Sequence, residues 1–324
     1  MKWFILIGAA LTMWVPGAAA QQPDTAQVLV HYKFSHVRDT TDRARPYTEN
    51  MVLVIGKNAA VYRSYDRQLQ EAQFRKQMQE QMAASGGGNV RFNRHITGSG
   101  TEYYQFPNDH KMVRKESLFH NFLVTEALLP IDWQVSGDTA TFGGLHCQKA
   151  TAHVKGRDYT AWFCPDLPLH VGPWKLNGLP GVIVEAYDAK QEVRFTFAGV
   201  EKAQIPDQPA GQAVVDQPRM PGLPGMEDEV SDPNIIKLPE NATKTTDKEF
   251  AQLQEAFKKD PSAFAQAMMA GPGGGMSGDG GPASGGRPGP GGSAAPGGRP
   301  PMKIDIKAAP GPVINNPIEL PERK

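Results

Sequence analysis

Two cysteines, Cys147 and Cys164, and eight histidines are the side chains most able to do chemistry in this 324-residue chain. An oxidising compartment permits a disulfide between the cysteines. The histidines do not fall into a metal-ligand pattern. His31 and His36 are five apart, and His146 and His153 seven apart, so on a strand each pair points to opposite faces. No HExxH helix, GxSxG elbow, P-loop or dinucleotide fingerprint is present. Asp132, Glu185 and Asp188 are carboxylates near strand ends, where such groups are usually solvated, and no acid–base pair can be argued from them. The methionines Met268, Met269, Met276 and Met302 are scattered rather than arranged as a ligand box. The sequence therefore calls for no cofactor and no metal, and it marks no catalytic residue.

The elements that must carry these residues read as strands. Lys and Arg balance Asp and Glu at 34 each, so a nucleic-acid or membrane-surface role has no electrostatic support. From Gln27 to about Val200, short alternating or apolar runs are joined by Gly, Asn, Asp and Pro. They are Val28 to Phe34, Met51 to Ile55, Val61 to Tyr65, Glu102 to Phe106, Lys111 to Glu116, Phe119 to Glu126 and Thr139 to Phe142. His146 to Val154, Tyr159 to Cys164, Val182 to Tyr187 and Val193 to Val200 complete the set. This spacing predicts a mainly β fold, a large curved antiparallel meander sheet. A half-barrel like the periplasmic lipoprotein carriers is the fold-level analogy.

One excursion, residues 66–84, reads as a helix with Asp66 as its cap, ion pairs at i, i+4 and a narrow stripe of Phe74, Met78 and Met82. A second, Asp247 to Lys259, places Phe250, Leu253 and Phe257 on one side.

The flanks differ in kind. Lys2 and the apolar run Trp3 to Val15, then Pro16, Gly17 and three alanines, form a signal peptide over residues 1–20, with cleavage expected after Ala20. The mature chain is then exported, to the periplasm, the outer-membrane surface or beyond, with no transmembrane segment. The β domain covers 21–200, an irregular linker 201–246 and short helices 247–270. Residues 271–301 are Gly, Pro, Ser and Ala and are expected to be disordered, spanning roughly 30 Å as a random coil. Residues 302–324 regain apolar character and are expected to dock back on the sheet.

Lys155-Gly156 suits a two-residue hairpin turn. That register sets Cys147 opposite Cys164, Lys149 opposite Trp162, Thr151 opposite Thr160 and His153 opposite Asp158. It predicts a cross-strand disulfide and sends Gln148, Ala150, Ala152, Val154, Tyr159, Ala161 and Phe163 to the core. The dipeptides Asn177-Gly178 and Pro180-Gly181 are consecutive turns above Trp174, followed by the buried start Val182, Ile183, Val184. Such a rigid double turn is a folding device or a binding loop. As a binding loop it would offer Trp162, Trp174, Leu179 and Pro180 to a ligand or partner.

Residues 133–188 carry a resemblance. The run Gly178, Leu179, Pro180, Gly181, Val182, Ile183 resembles the signature of the GLPGLI family, exported proteins of Bacteroidetes-type bacteria. Cys147-Gln148-Lys149-Ala150, Gly156-Arg157, Ala161-Trp162, Gly172-Pro173-Trp174-Lys175 and the closing Asn316-Pro317-Ile318-Glu319-Leu320 resemble it too. Val182 stands where the family name has leucine, and Cys164 where a threonine is usual. A second GLPG at 222–225 lacks a following strand and is read as chance. The resemblance implies an exported location and a β fold, and no catalytic residues.

The functional expectation is a non-catalytic binding or carrier module for an apolar ligand or a peptide segment. The alternatives are an accessory subunit of an outer-membrane system such as a TonB-dependent receptor, and a hydrolase with a non-obvious site.

Overall fold

The computed structural model describes residues 23–85, 97–118, 120–203, 232–264 and 314–322. The proposed signal peptide, the stretch 204–231 and the Gly/Pro-rich segment lie outside these residues.

Among the described residues fourteen strands and two α-helices follow in chain order. The strands are β1 (Asp24–Thr25), β2 (Val28–His36), β3 (Tyr47–Ile55), β4 (Ala60–Ser64), β5 (Glu102–Phe106), β6 (Lys111–Ser117) and β7 (Asn121–Ala127). Then come β8 (Gln134–Phe142), β9 (Leu145–Val154), β10 (Arg157–Cys164), β11 (Val182–Asp188), β12 (Val193–Lys202), β13 (Ile235–Ile236) and β14 (Thr243–Thr245). The helices are α1 (Tyr65–Ser85), after β4, and α2 (Asp247–Lys259).

Twelve strands form one open sheet in the order β14-β7-β6-β5-β4-β3-β2-β12-β11-β10-β9-β8. Neighbours pair antiparallel throughout, except that β14 runs parallel to β7. The meander is therefore present, with β12 folded back beside β2 and one parallel strand added at the edge.

The sheet buries both faces near its centre. Val30, Tyr32, Leu53 and Tyr62 face inward with Tyr159, Phe163, Ile183 and Phe195. Val52, Val54, Val61, Tyr104, Phe106 and Val113 face outward and still lie buried, beneath Ala26 and Ile236. This is why β3 reads as an unbroken apolar run: Met51 to Ile55 are buried whichever way they point. The cover comes from β1, β13 and the residues after them. The sequence reading treated 201–246 as irregular, yet its described part, 232–246, holds β13 and β14 and seals the outer core.

The hairpin of β9 and β10 has the register that its turn predicts. Val154 pairs with Arg157, Thr151 with Thr160 and Lys149 with Trp162. Lys155 and Gly156 both take positive φ, 50° and 74°, as a type I′ turn requires. Cys147 and Cys164 are joined by a disulfide, with Cα atoms 4.1 Å apart.

Helix α1 is capped otherwise than expected. The Ser64 hydroxyl accepts the Arg67 N–H at 3.0 Å, while Asp66 accepts two hydrogen bonds from Asn50, both at 2.9 Å. The i, i+4 pair Arg67–Glu71 forms at 2.9 Å. Helix α2 opens with a full capping box between Thr246 and Glu249, and Phe250 packs against Phe122 of β7. Among the described residues no helix is long and apolar enough to cross a membrane.

Candidate functional site

The inner face of the sheet is filled by the chain's own loop. Residues 165–181, between β10 and β11, lie across it. Val171, Trp174, Leu176 and Leu179 are at most 2% exposed. The Gln105 side-chain amide donates to the Gly172 and Trp174 carbonyls at 2.7 and 3.0 Å, the Tyr32 hydroxyl donates to the Ile183 carbonyl at 2.7 Å, and the Trp133 indole donates to Asn177 O at 2.7 Å. Gln105 of β5 and Trp133, just before β8, thus hold the loop, while Tyr32 ties β2 to the start of β11.

This placement divides the residues that the sequence reading offered as a binding loop. Trp174 and Leu179 are in the core with Val182 and Ile183. Trp162 is half-buried beside Phe142, with ring centroids 5.8 Å apart. Pro180 and Gly178 are exposed. Gly181 has φ 148°, and a Cβ there would run into the Cys164 carbonyl, so the turn is pressed against the disulfide-bearing strand. The double turn packs as part of the core and does not present its four candidates as one surface.

Two further features have little to offer. A cavity of about 260 Å³ lies between Tyr32, Asn50, Met51, Tyr65, Asp66 and Leu69. It is smaller than most ligand sites. Among the described residues no three His, Cys, Asp or Glu side chains are grouped to hold a metal ion.

A built site does exist at the end of the sheet where the 314–322 segment docks. At its centre is Arg157, the first residue of β10, with a side chain only 2% exposed. Its hydrogen bonds engage Nε and both Nη groups. Nη1 donates to Asp188 Oδ2 at 2.7 Å and Glu192 Oε2 at 3.4 Å. Nε donates to the Ile318 carbonyl at 3.0 Å, and Nη2 to Asn316 Oδ1 at 2.6 Å and the Pro317 carbonyl at 2.8 Å. Two body carboxylates and three groups of the docked segment therefore share one guanidinium.

The carboxylates are set by the turn from β11 to β12. Asp188 accepts the N–H groups of Glu192 and Val193 at 2.6 and 3.0 Å, which fixes the turn and aims Glu192 at the groove. Burial would raise Glu192, but hydrogen bonds from Arg43, Asn316 and Arg157 outweigh it and hold its carboxyl below the ordinary value.

Asn316 is read on all sides. Its Nδ2 donates to the Val37 carbonyl at 2.7 Å and to Glu192 Oε2 at 3.0 Å. Its carbonyl accepts from His36 Nε2 at 2.8 Å, so that nitrogen carries the ring proton. Burial, with Arg38 and Arg157 nearby, pushes His36 down to about 4 against the opposing pull of this bond.

The flanking residues extend the contact. Backbone N–H groups of Asn315 and Asn316 donate to the Arg38 carbonyl, each at 3.0 Å. Ile318 packs on the inner core. Glu319 meets Lys175 at 2.9 Å. Leu320 N donates to the Lys155 carbonyl at 2.9 Å, and Glu322 meets His153 at 3.0 Å. The segment is an extended peptide seated between the β2–β3 loop, the β11–β12 turn and the β9–β10 hairpin. The arrangement recognises a peptide by shape, one amide side chain and one buried cation, and it holds no nucleophile beside a general base.

A second ionic group adjoins it. Arg114 meets Glu116 at 3.0 Å and Glu126 at 3.2 Å, and Lys175 links Glu126, at 2.7 Å, to Glu319. Asp247 at the start of α2 also contacts Arg114. Burial raises the Glu116 carboxyl. Its members join five segments of the chain.

No protein-family model matches the chain. No curated protein matches it significantly. Two solved structures titled for PNGF-II, in its P21 and C2 crystal forms, have TM-scores of 0.38 and 0.41 at 10% identity. They cover 56% and 70% of this chain, which spans only 29% and 32% of PNGF-II, and so weak a likeness supports no assignment.

Sequence reasoning singled out both halves of the groove, the Gly156-Arg157 turn and the Asn316 to Leu320 run, without joining them. Asp188 was noted as a solvated strand-end carboxylate, and it is 2% exposed. His36 and Glu192 were missed as groove residues.

Proposed function

We propose that this chain is an exported, non-catalytic binding module of a bacterial cell envelope, of GLPGLI type, whose ligand is an extended peptide segment. The observation that carries the reading is the Arg157 groove, already engaged with such a segment through three donor bonds. The inner face supports the peptide reading over the apolar-ligand one, because Val171, Trp174, Leu176 and Leu179 occupy the place that a lipid would need.

The accessory-subunit reading is favoured by one other observation. Strand β8 closes one edge of the sheet, nine residues long and mostly exposed, and among the described residues it pairs with β9 alone. A partner strand could add there. The ladder between β8 and β9 is broken between Val135 and Thr139, which shortens the regular edge. The groove is the better-built site.

Native mass spectra of the protein purified gently from its host's envelope test the reading. A reproducible increment of polypeptide size is expected. A reproducible increment of lipid size would overturn it in favour of a carrier.

A further inference from the structure

Away from the groove, we infer that the β8 edge is a self-association surface. A second copy of this chain adds its own β8 antiparallel to it, and the two sheets become one across a two-fold axis at Ala140.

The hairpin turn fixes which backbone groups the edge presents. Gly143 and Gly144, with φ 55° and 86°, form a type I′ turn that makes Phe142 and Leu145 a hydrogen-bonded pair. Bonded and non-bonded pairs alternate from there along an antiparallel ladder. Ala140 and Cys147 are therefore a bonded pair, while Thr141 with His146 and Thr139 with Gln148 are non-bonded pairs. The His146 N–H agrees with this phase, because it points away from β8 and Asp166 Oδ2 accepts it at 2.8 Å. The N–H and C=O groups of Thr139 and Thr141 thus face out from the sheet, where among the described residues no strand pairs with them.

The side chains leave that edge open. Thr139 and Thr141 are exposed. Phe142 turns back on its own sheet, with ring centroids 5.8 Å from Trp162 and 5.7 Å from Phe197. Strand β8 contains neither proline nor lysine, the residues that usually guard an edge. Its one charge, Asp138, is held by Lys149 at 3.0 Å, so two copies bring no bare like charges together. The opposite edge differs: β14 has three residues with Lys244 in the middle.

The occupant is a second copy because the regular run Thr139 to Phe142 is complementary to itself. With the axis at Ala140, Thr139 lies opposite the partner's Thr141, and the two exchange backbone N–H and C=O bonds. The same exchange repeats on the other side of the axis. Ala140 meets the partner's Ala140 as a non-bonded pair, where Cα atoms approach to about 4.5 Å and a small side chain fits. Paired threonines add their hydroxyl contacts on one face. Shifting the register by a residue pair sets Gly137 of the irregular stretch, or Gly143 of the turn, opposite a threonine, and the ladder loses its regularity. So short a run makes a weak, concentration-dependent dimer.

Amide hydrogen exchange of the full chain, read residue by residue by nuclear magnetic resonance in dilute and in concentrated solution, tests the inference. The Thr139 and Thr141 amides are expected to exchange about tenfold or more slowly in the concentrated sample. The Ala140 and Phe142 amides, bonded to β9, are expected to be slow in both. Sedimentation over the same range is expected to show a monomer–dimer equilibrium that Thr141→Pro abolishes. That substitution removes an outward N–H and leaves the β8–β9 ladder its bonds, and near-ultraviolet circular dichroism checks that the fold is kept. If Thr141→Pro does not fold, Thr139→Lys, an edge guard at an exposed position, takes its place. Thr139 and Thr141 amides that exchange equally fast in both samples overturn the inference. So does a dimer that persists in the folded edge variant. Protection that appears only when another envelope polypeptide is added overturns it in favour of a foreign strand at the same edge.

Discussion

Arg157 and Asn316, 159 residues apart in the chain, meet side chain to side chain at 2.6 Å in a site where both are at most 5% exposed. The pair ties the docked segment to the turn between β11 and β12 through Asp188 and Glu192. A buried cation with two buried carboxylates is costly unless its donors and their acceptors are matched. Here the segment supplies three of the matches.

The first prediction concerns that cation. Arg157→Met should destabilise the folded chain by roughly 3–5 kcal/mol, because Asp188 and Glu192 would stay buried without their partner. Denaturant midpoints of the two proteins, with equal slopes, check it. Asn316→Ala should cost less, about 1–3 kcal/mol, since Arg157 Nη2 keeps the Pro317 carbonyl and Glu192 keeps Arg43.

The double turn should behave as core. Leu179→Ala is expected to cost roughly 2–5 kcal/mol, by loss of burial plus a cavity. Pro180→Ala, at an exposed position in the same motif, should cost under about 1 kcal/mol. Thermal midpoints measured side by side decide the point. Equal effects would contradict a core role for the motif.

The disulfide closes a loop between residues 17 apart. The loop-entropy model gives it roughly 3 kcal/mol. Thiol titration of the denatured, unreduced protein should find no free thiol, and reduction should lower the denaturant midpoint accordingly.

Acid should weaken the groove through His36. In the unfolded chain this histidine takes up a proton near pH 6.5, while in the fold burial holds it neutral to about 4. The unfolded chain therefore binds the extra proton between those values, and stability falls as pH drops from about 6.5 to about 4. His36→Gln keeps a donor for the Asn316 carbonyl and removes the titration. Its stability should depend on pH less steeply across that window, by up to about 1.4 kcal/mol per pH unit. Parallel curves would contradict this account of His36.

Local pattern carried most of the fold. The alternation in β2 and the turn at Lys155-Gly156 are properties of adjacent residues, and they lead directly to strand pairing and to the opposed cysteines. Helix α2 was legible to both ends, Asp247 and Lys259, from one apolar stripe and a proline at 261. What was not legible has physical reasons. Strands β1, β13 and β14 hold two or three residues each, too few to show any period. Their pairing depends on partners that lie far away in the chain, β1 with β13 and β14 with β7. The helix cap fell to Ser64 because Asp66 is held by Asn50 of the neighbouring strand β3. The groove was invisible as a unit because its cation and its amide are joined only by the completed topology. Each looked like an ordinary turn or tail residue in its own neighbourhood.

The most direct measurement places a photo-activatable crosslinker at Thr40, an exposed residue whose backbone N–H donates to the Asn315 side chain at 2.9 Å, and irradiates intact envelopes. The account predicts a covalent adduct of the protein with a second polypeptide, and its loss in Gly156→Ala, whose Cβ would stand 2.6 Å from the Leu320 carbonyl oxygen. Adducts with lipid, or only with the chain's own residues 314–322, would contradict it.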